Sequence, residues 1–339
     1  MLTRTVQFSA PGEPSQVLHL QSLQQPLPGP GQVLVQMLVS PVNPSDLMFV
    51  RGHYTLKAQC PATPGFEGVG IVAAAGPGLR GRLFLGRRVV VLNPKGGNWS
   101  EYAVVPAENV VPISSSLSDQ QAATFFVNPA TAWVMTREVL RVPPGEWLVL
   151  TAAGSALGQM VVRLAKHCGF RTFCVVRRAA QRTLLNTLGA DHVEVCSDEM
   201  AVAGLTEQIR AVVGSAGARY AIDAVGGSLG SALVNSLGRG GRLLAYGTLS
   251  GQPLSFHPRT LMTAGSSVEG FWLGNFMAEQ GLLFRLNLVR RLTRLIRSGV
   301  LHTEIGGEWG LDQVRVAVQA AEDSAISGKC LLRIHPVSG

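Results

Sequence analysis

The residues WLVLTAAGSALG (147–158) decide the fold of this chain of 339 residues. Four apolar residues are followed by a turn of small residues and then by a run with helical spacing. This order predicts a strand, a tight turn and a helix. The stretch therefore indicates the first strand and helix of an α/β domain.

The same alternation of short apolar runs and longer amphipathic runs continues beyond residue 158. The predicted strands are 147–151, 171–176, 192–195, 219–225 and 241–249, with 266–272 as a sixth; the predicted helices are 156–168, 179–188, 199–213 and 228–237. Nearly continuous apolar strands separated by helices are typical of a parallel sheet that is covered on both faces. Right-handed crossovers then predict a doubly wound sheet.

The first 120 residues have a different pattern of apolar and turn residues. Short alternating segments with frequent turn residues predict a mainly β, partly closed barrel, with strands near 32–38, 70–74, 88–92 and 100–105. This pattern ends at Ser118, which begins a sequence with the spacing of a helix capping box. The predicted division is 1–119 for the first domain, 120–262 for the doubly wound domain, and 263–339 for a segment that completes both.

Composition and charge exclude several classes of protein. The five cysteines are scattered, which indicates free thiols rather than a disulfide framework or a zinc cluster. No apolar run approaches the ~20 residues of a membrane helix, and residues 1–10 lack the features of a secretory signal, so we expect a cytoplasmic protein with no membrane partner. The net charge of +8 comes mainly from dispersed arginines, which suits anionic small ligands better than nucleic acid.

The turn after the first strand of the α/β domain is the candidate site for a dinucleotide. Its residues are Ala153, Gly154, Ser155, Ala156, Leu157 and Gly158. A pyrophosphate binds well at a helix N-terminus, where free N–H groups and the helix dipole favour anions. The pattern is an AxxGxxG variant of the usual glycine motif. A tight turn with no ligand is the alternative interpretation.

The end of the second predicted strand indicates which dinucleotide. An acidic residue there would bind the ribose 2′-OH of NAD, whereas arginine accommodates the 2′-phosphate of NADP. The chain has Arg177 and Arg178 at this place, and no acid is near. We therefore expect NADPH as the cofactor, the alternative being a solvated arginine pair.

Several motifs in order give the chain a family resemblance. They are VNPSD (42–46), RGHY (51–54), PGFEGVG (64–70), NPATAW (128–133) and GFWL (270–273). Together they resemble the medium-chain dehydrogenase/reductase superfamily, and within it most closely the mitochondrial-type trans-2-enoyl thioester reductases, next the quinone oxidoreductases. The resemblance implies a GroES-like barrel domain joined to a Rossmann domain.

The zinc-dependent members of this superfamily differ at their metal ligands. They carry a cysteine where Pro44 or Ser45 lies here, and a histidine where Phe66 lies. The four-cysteine lobe of the structural zinc is also missing from this sequence. A catalytic zinc needs three protein ligands, so we expect a reaction that does not use a metal.

The resemblance assigns roles to two residues of the first domain. Tyr54, in the loop Gly52-His53-Tyr54, matches the tyrosine that is the proposed general acid of enoyl thioester reductases. Asn43 would hold this loop or the nicotinamide ribose. A packed tyrosine and an Asn that only caps a turn are the alternatives.

Further cofactor residues are implied in the doubly wound domain. These are Asn128, Thr131, Tyr246, Gly247, Phe271, Trp272 and Leu273. Tyr246 and Gly247 follow the fifth strand at the edge where ligands bind in such sheets. The aromatic residues would line the nicotinamide and acyl pocket, or else serve only in packing.

Three functions remain open at this point. The leading hypothesis is an NADPH-dependent reductase of enoyl thioesters, carried on coenzyme A or on an acyl carrier protein. The alternatives are an NADPH:quinone or enone reductase, and an NADPH-binding protein with little catalysis.

Residues 284–298 predict an amphipathic helix whose arginines could meet a phosphate or an acidic carrier protein. The family further implies a homodimer.

Overall fold

A computed structural model describes residues 1–323 and 328–335 of the chain. The strands are β1 Leu2–Gln7, β2 His19–Gln24, β3 Gln32–Pro41, β4 Glu67–Ala75, β5 Arg88–Leu92, β6 Tyr102–Pro106, β7 Val110–Pro112, β8 Trp147–Leu150, β9 Arg171–Val176, β10 His192–Val195, β11 Ala218–Asp223, β12 Leu237–Ala245, β13 Ser267–Gly270, β14 Ile305–Gly310 and β15 Lys329–Arg333.

Helices connect these strands. They are α1 Pro14–Val17, α2 Pro44–Val50, α3 Leu79–Arg82, α4 Asp119–Ala123, α5 Val127–Trp133, α6 Ala156–Cys168, α7 Ala180–Leu188, α8 Glu199–Ala203, α9 Leu205–Val213, α10 Gly227–Ser236, α11 Pro258–Ala264, α12 Leu273–Ala278, α13 Leu282–Arg297 and α14 Val314–Glu322. A π-helical segment, Val134–Val139, follows α5 directly. None of the helices in the described ranges is both long and apolar enough to cross a membrane.

The chain folds as two units. The barrel unit comprises residues 1–127 and 303–339, and the Rossmann unit comprises 128–302. The first boundary thus lies eight residues beyond the one expected from the sequence, because α4 belongs to the barrel unit. Buried Ala122 and Ala123 of α4 pack against Val39 and Val69 of the barrel sheet.

The barrel unit is built on an almost wholly antiparallel sheet. Its strand order is β14-β15-β3-β4-β5-β7, with β6 paired to β3, and β1 and β2 form a separate hairpin. Among the strands of residues 1–323 and 328–335, β3 is the longest, and it alone pairs with three others. Its buried Val33, Val35 and Met37 contribute to the main core of the unit. The loops at the ends of β3 and β4 are therefore attached to strands with residues in the core.

The Rossmann unit contains a parallel sheet of six strands in the order β10-β9-β8-β11-β12-β13. This is the order of a doubly wound dinucleotide fold, and it confirms the predicted fold class. Glycines account for two of the differences from the predicted elements. Gly204 separates α8 from α9 within the predicted helix 199–213. Strand β12 begins early, at Leu237, in a glycine-rich segment where a Cβ on Gly238 would meet the Ala216 carbonyl oxygen at 2.1 Å.

Candidate active site

The turn between β8 and α6 has the shape of a phosphate cradle. Ser155 is the N-cap of α6, and its hydroxyl accepts a hydrogen bond from the Gly158 N–H at 3.1 Å. The first N–H groups of α6, on Ala156 and Leu157, have no carbonyl inside the helix to bind. A Cβ on Gly158 would lie 2.4 Å from the Ala153 carbonyl oxygen. Glycine is therefore required for the helix to start this close to the strand, and the turn fits a pyrophosphate.

An aspartate that the sequence reasoning missed supports this turn. Asp223, buried at the end of β11, accepts from the Thr151 hydroxyl at 2.5 Å and from the N–H groups of Val225 and Gly226. The Thr151 hydroxyl oxygen accepts from the Ala224 N–H in turn. These bonds join the ends of the two central strands. An Asp that ends an apolar strand was the signal in the sequence.

Arg177 and Arg178 lie directly after β9, next to the phosphate turn. The Ala153 N–H of the turn donates to the Val175 carbonyl at 3.2 Å, which places the two strand ends side by side. Arg177 is exposed and Arg178 is partly buried. Gln181, another residue missed from the sequence, accepts from the Arg178 N–H, and its side chain covers Gly154. The two arginines are thus at the edge of the cradle, where a 2′-phosphate would need cations.

The predicted residues after β12 and β13 share this edge of the sheet, because all six strands are parallel. The Tyr246 N–H donates to the Asp223 carbonyl, and burial raises the pKa of the Tyr246 phenol, with the Asp223 charge adding to the effect. The Phe271 N–H donates to the Ala245 carbonyl at 2.8 Å. The Phe271 ring lies near Phe276, with 6.3 Å between the ring centroids, and Phe276 lies near Phe284, with 5.8 Å between theirs.

The remaining predicted residues of this stretch are placed as follows. Gly247 lies against Ala224, where a Cβ would meet the Ala224 carbonyl oxygen at 2.6 Å. Trp272 is 41% exposed, and Leu273 begins α12. Asn128 and Thr131 lie on α5, Thr131 buried and Asn128 partly buried. The cofactor candidates thus fall on four strand ends and one helix of a single unit.

Tyr54 lies in a short loop that the end of α2 holds in place. The N–H groups of His53 and Tyr54 both donate to the Met48 carbonyl, at 2.9 and 3.1 Å. Gly52 has a φ of +74°, which favours glycine at this position. The Tyr54 ring packs on Phe66 with 5.3 Å between centroids, and the residue is half-buried. The loop therefore presents the tyrosine from a fixed backbone.

Asn43 begins the same helix, α2, and its side chain is buried. Its Nδ2 donates to Glu67 at 2.9 Å, and its Oδ1 accepts from Lys329 Nζ at 2.7 Å. The backbone N–H of Asn43 donates to Asp46, whose other oxygen accepts from Phe66 N–H. Asp46 thereby ties the start of α2 to the residue that packs on Tyr54. The structure assigns the Asn43 amide to this internal network.

Three ionisable groups of this network are buried, two of which sequence reasoning missed. Burial raises the pKa of the Asp46 carboxyl to about 7, and the Glu67 charge adds to the rise. Burial likewise raises the pKa of Glu67 and lowers that of Lys329. Glu67 and Lys329 each begin a strand, so the sequence signal was a charged residue at the first position of an apolar run. Among residues 1–323 and 328–335, no group of His, Cys, Asp and Glu is placed to hold a metal ion.

Comparison with known proteins identifies the family. Residues 29–115 match the model of the alcohol dehydrogenase GroES-like domain, and residues 156–287 match that of the zinc-binding dehydrogenases. The mitochondrial enoyl-[acyl-carrier-protein] reductase of Bos taurus is 32% identical, over 97% of this chain and 88% of that protein. The chain belongs to the medium-chain dehydrogenase/reductase superfamily. As a member of this superfamily without the zinc ligands, it is an oxidoreductase of the zinc-free type.

Solved structures of this superfamily superpose over nearly the whole chain. A Bacillus thuringiensis protein, described as a candidate NADPH:quinone reductase, is 32% identical with a TM-score of 0.90, covering 99% of this chain and 100% of that one. A mycobacterial protein solved with NADPH is 26% identical with a TM-score of 0.87, covering 98% and 99%. The curated and the structural relatives thus carry two different activities in their names.

Proposed function

We propose that this reductase uses NADPH to reduce the C=C bond of a trans-2-enoyl thioester. The observation that carries the proposal is the Tyr54 loop, in which two backbone bonds to Met48 and the Phe66 ring hold a phenol that could serve as an acid. The names of the curated relatives support the substrate class. The NADPH named for structural relatives agrees with the arginine pair after β9.

The Rossmann unit has residues that would hold the cofactor. The α6 N-terminus and Gly158 would receive the pyrophosphate, and Arg177 with Arg178 would bind the 2′-phosphate. Asn128, Thr131, Tyr246, Gly247 and Phe271–Leu273 would line the nicotinamide side. NADPH, when bound, supplies the hydride that reduces the β-carbon.

Tyr54 would supply the proton of the reaction. Its phenol O–H would give a proton to the α-carbon, so that one hydride and one proton together saturate the double bond. The negative charge that develops on the thioester oxygen requires hydrogen-bond donors in the transition state. A loop fixed at its backbone limits the movement of the acid, which is how positioning lowers a barrier.

Reduction of quinones is the second candidate function. The similarity to a Bacillus thuringiensis protein described as a candidate NADPH:quinone reductase favours it, because the identity equals that to the bovine enoyl reductase. A quinone needs no proton donor at carbon, so Tyr54 would then be a packing residue. A third outcome, tight NADPH binding with little turnover, would indicate a binding protein.

One assay separates these functions. NADPH oxidation is followed with crotonyl-CoA and with a naphthoquinone side by side, with NADH as the control cofactor. Turnover of the thioester supports the enoyl reductase. Turnover of the quinone alone moves the protein to the second function, and NADPH binding without turnover of either acceptor supports the third.

We further propose that an acyl carrier protein delivers the substrate to helix α13. The helix carries five arginines and no acidic residue. Leu288, Leu292, Leu295 and Ile296 are buried, which leaves Arg290 and Arg294 exposed one turn apart. Phe284 links this helix to Phe271 through Phe276. A basic helix beside the acyl-pocket residues would suit an acidic carrier protein with a phosphodiester-linked arm.

Reversing Arg290 and Arg294 to Glu is expected to raise the KM for an acyl carrier protein substrate several-fold at low salt, because attraction becomes repulsion. Steady-state kinetics at two ionic strengths measure this. Reversal of Arg219 and Arg239, which are exposed elsewhere on the same unit, is the matched control. A higher KM for acyl-CoA alone would assign the helix to binding coenzyme A phosphates. An unchanged KM for both substrates would contradict the proposal.

We also propose a homodimer that forms through strand β13. This strand is at the edge of the Rossmann sheet, and among the described strands it pairs with β12 alone. No residue from 247 to 287 is buried, although the stretch includes Leu249, Met262, Trp272, Leu282 and Leu283 as exposed apolar side chains. An unprotected edge beside apolar surface favours pairing with another strand, and a second copy supplies one by two-fold symmetry.

Sedimentation equilibrium is expected to give twice the mass of the chain at micromolar concentration. A proline at Val268 should lower that mass, because it removes a backbone donor and disturbs the edge strand. The same substitution at Val316, exposed on α14 of the barrel unit, tests for general damage by proline. A mass of one chain for the unaltered protein would contradict the dimer.

The cytoplasmic location stays a prediction from the sequence. The bovine relative named above is a mitochondrial protein, which argues against this location. Fractionation of cells that produce the protein, with antibody detection, decides between the two compartments.

A further inference from the structure

Lys329, Asn43 and Glu67 form a buried chain of hydrogen bonds in the barrel unit. Lys329 Nζ donates to Asn43 Oδ1 at 2.7 Å, and Asn43 Nδ2 donates to Glu67 Oε1 at 2.9 Å. Glu67 Oε2 accepts from the Val127 N–H at 3.0 Å. The three side chains come from the starts of β15 and β4 and the N-cap of α2. The chain of bonds thus ends on the first peptide of α5, the helix that carries Asn128 and Thr131.

We propose that Lys329 is a positioning residue for the reduction. Its ammonium group holds the Asn43 amide and keeps Glu67 ionised, so that both Glu67 oxygens accept, one from Asn43 and one from Val127. Lys329 touches neither substrate nor cofactor in this role. The inference rests on the proposed function, since it needs a reaction whose rate the network controls.

The charges of the cluster explain why a cation is needed there. Two carboxyl groups, those of Asp46 and Glu67, are buried together with the ammonium group of Lys329. The thiol of Cys330, the next residue in the chain, also interacts electrostatically with Lys329. All four carboxyl oxygens accept from N–H groups in the structure. Protonating either carboxyl would therefore cost a hydrogen bond. Without Lys329, two buried carboxylates would have no cation to offset their repulsion.

Lys329→Met removes the ammonium group and keeps most of the apolar stem. We expect kcat near pH 7 to fall about 10- to 100-fold, because small displacements of positioned groups have effects of this size. The loss of a nearby cation raises the pKa of both carboxyls. A group that must be ionised for activity then requires a higher pH. The acid limb of the kcat profile should therefore move to higher pH, and activity should recover as the pH rises.

A double-mutant cycle separates charge compensation from simple packing. Glu67→Gln removes the negative partner, and adding it to Lys329→Met leaves no unpaired charge at that pair. The double variant should be more active at pH 7 than Lys329→Met alone. Lys329→Arg should keep the position of the acid limb. Lys166→Met, at an exposed lysine on α6, is the control for the substitution itself.

The assays use whichever acceptor the unaltered protein reduces, and thermal unfolding at each pH confirms that the variants are folded. If Lys329→Met does not fold, Glu67→Gln carries the test. Removing the like charge lowers the pKa of Asp46, so the acid limb should move to lower pH. An unmoved limb, or additive effects in the cycle, would overturn the positioning role. The proposed function fails separately if the unaltered protein reduces the quinone and not the thioester.

Discussion

Replacing Tyr54 by Phe is expected to lower kcat for enoyl thioester reduction by about 10²–10⁴-fold, the usual contribution of a well-placed general acid. Phenylalanine keeps the ring that packs on Phe66 and the backbone bonds to Met48, so the loop should not move. Only the O–H is lost. The affinity for NADPH should stay unchanged, because Tyr54 is not among the residues proposed to bind the cofactor.

Steady-state kinetics with crotonyl-CoA and a fluorescence titration with NADPH measure the two quantities. Tyr102→Phe removes a phenol hydroxyl elsewhere in the barrel unit and is the matched control. Turnover that Tyr54→Phe leaves intact would remove Tyr54 from the mechanism. That result, together with quinone turnover, would favour the second function.

Arg177→Ala is expected to weaken NADPH binding by about 10- to 100-fold and to leave NADH binding nearly unchanged. A charge-assisted hydrogen bond contributes about 1.5–3 kcal/mol, which corresponds to this range. The side chain follows β9 beside the phosphate turn and is exposed, so its removal should not disturb the core.

Calorimetric titration of both cofactors into the variant gives the two affinities. Arg219→Ala removes an exposed arginine near the opposite end of the sheet, where β11 begins, and serves as the control for net charge. An equal loss for NADPH and NADH would contradict the assignment of Arg177 to the 2′-phosphate. A loss only after Arg178 is also replaced would assign the phosphate to the pair.

The predicted elements that the structure confirms are those with a strong local pattern. Strand β9 and helix α6 have the predicted bounds, because apolar runs and a serine cap define them within a few residues. Helix α13 buries the leucines expected from its spacing. The structure differs where a local pattern was silent. The start of β12 was not predicted, because it lies in a glycine-rich segment. Helix α4 belongs to the barrel unit because it contacts β3 and β4, which are distant in sequence.

The sequence by itself determined the doubly wound fold, the phosphate turn, the arginines after β9 and the tyrosine loop. Each of these depends on residues that are close in the chain, so periodicity and motif spacing describe them. Only the tertiary structure decided that Asn43, Glu67 and Lys329 form one network, since Lys329 and Asn43 are 286 residues apart in sequence. It also decided that Asp223 supports the turn through Thr151. Burial away from water gives these charged groups their importance, and burial is a property of the packed chain.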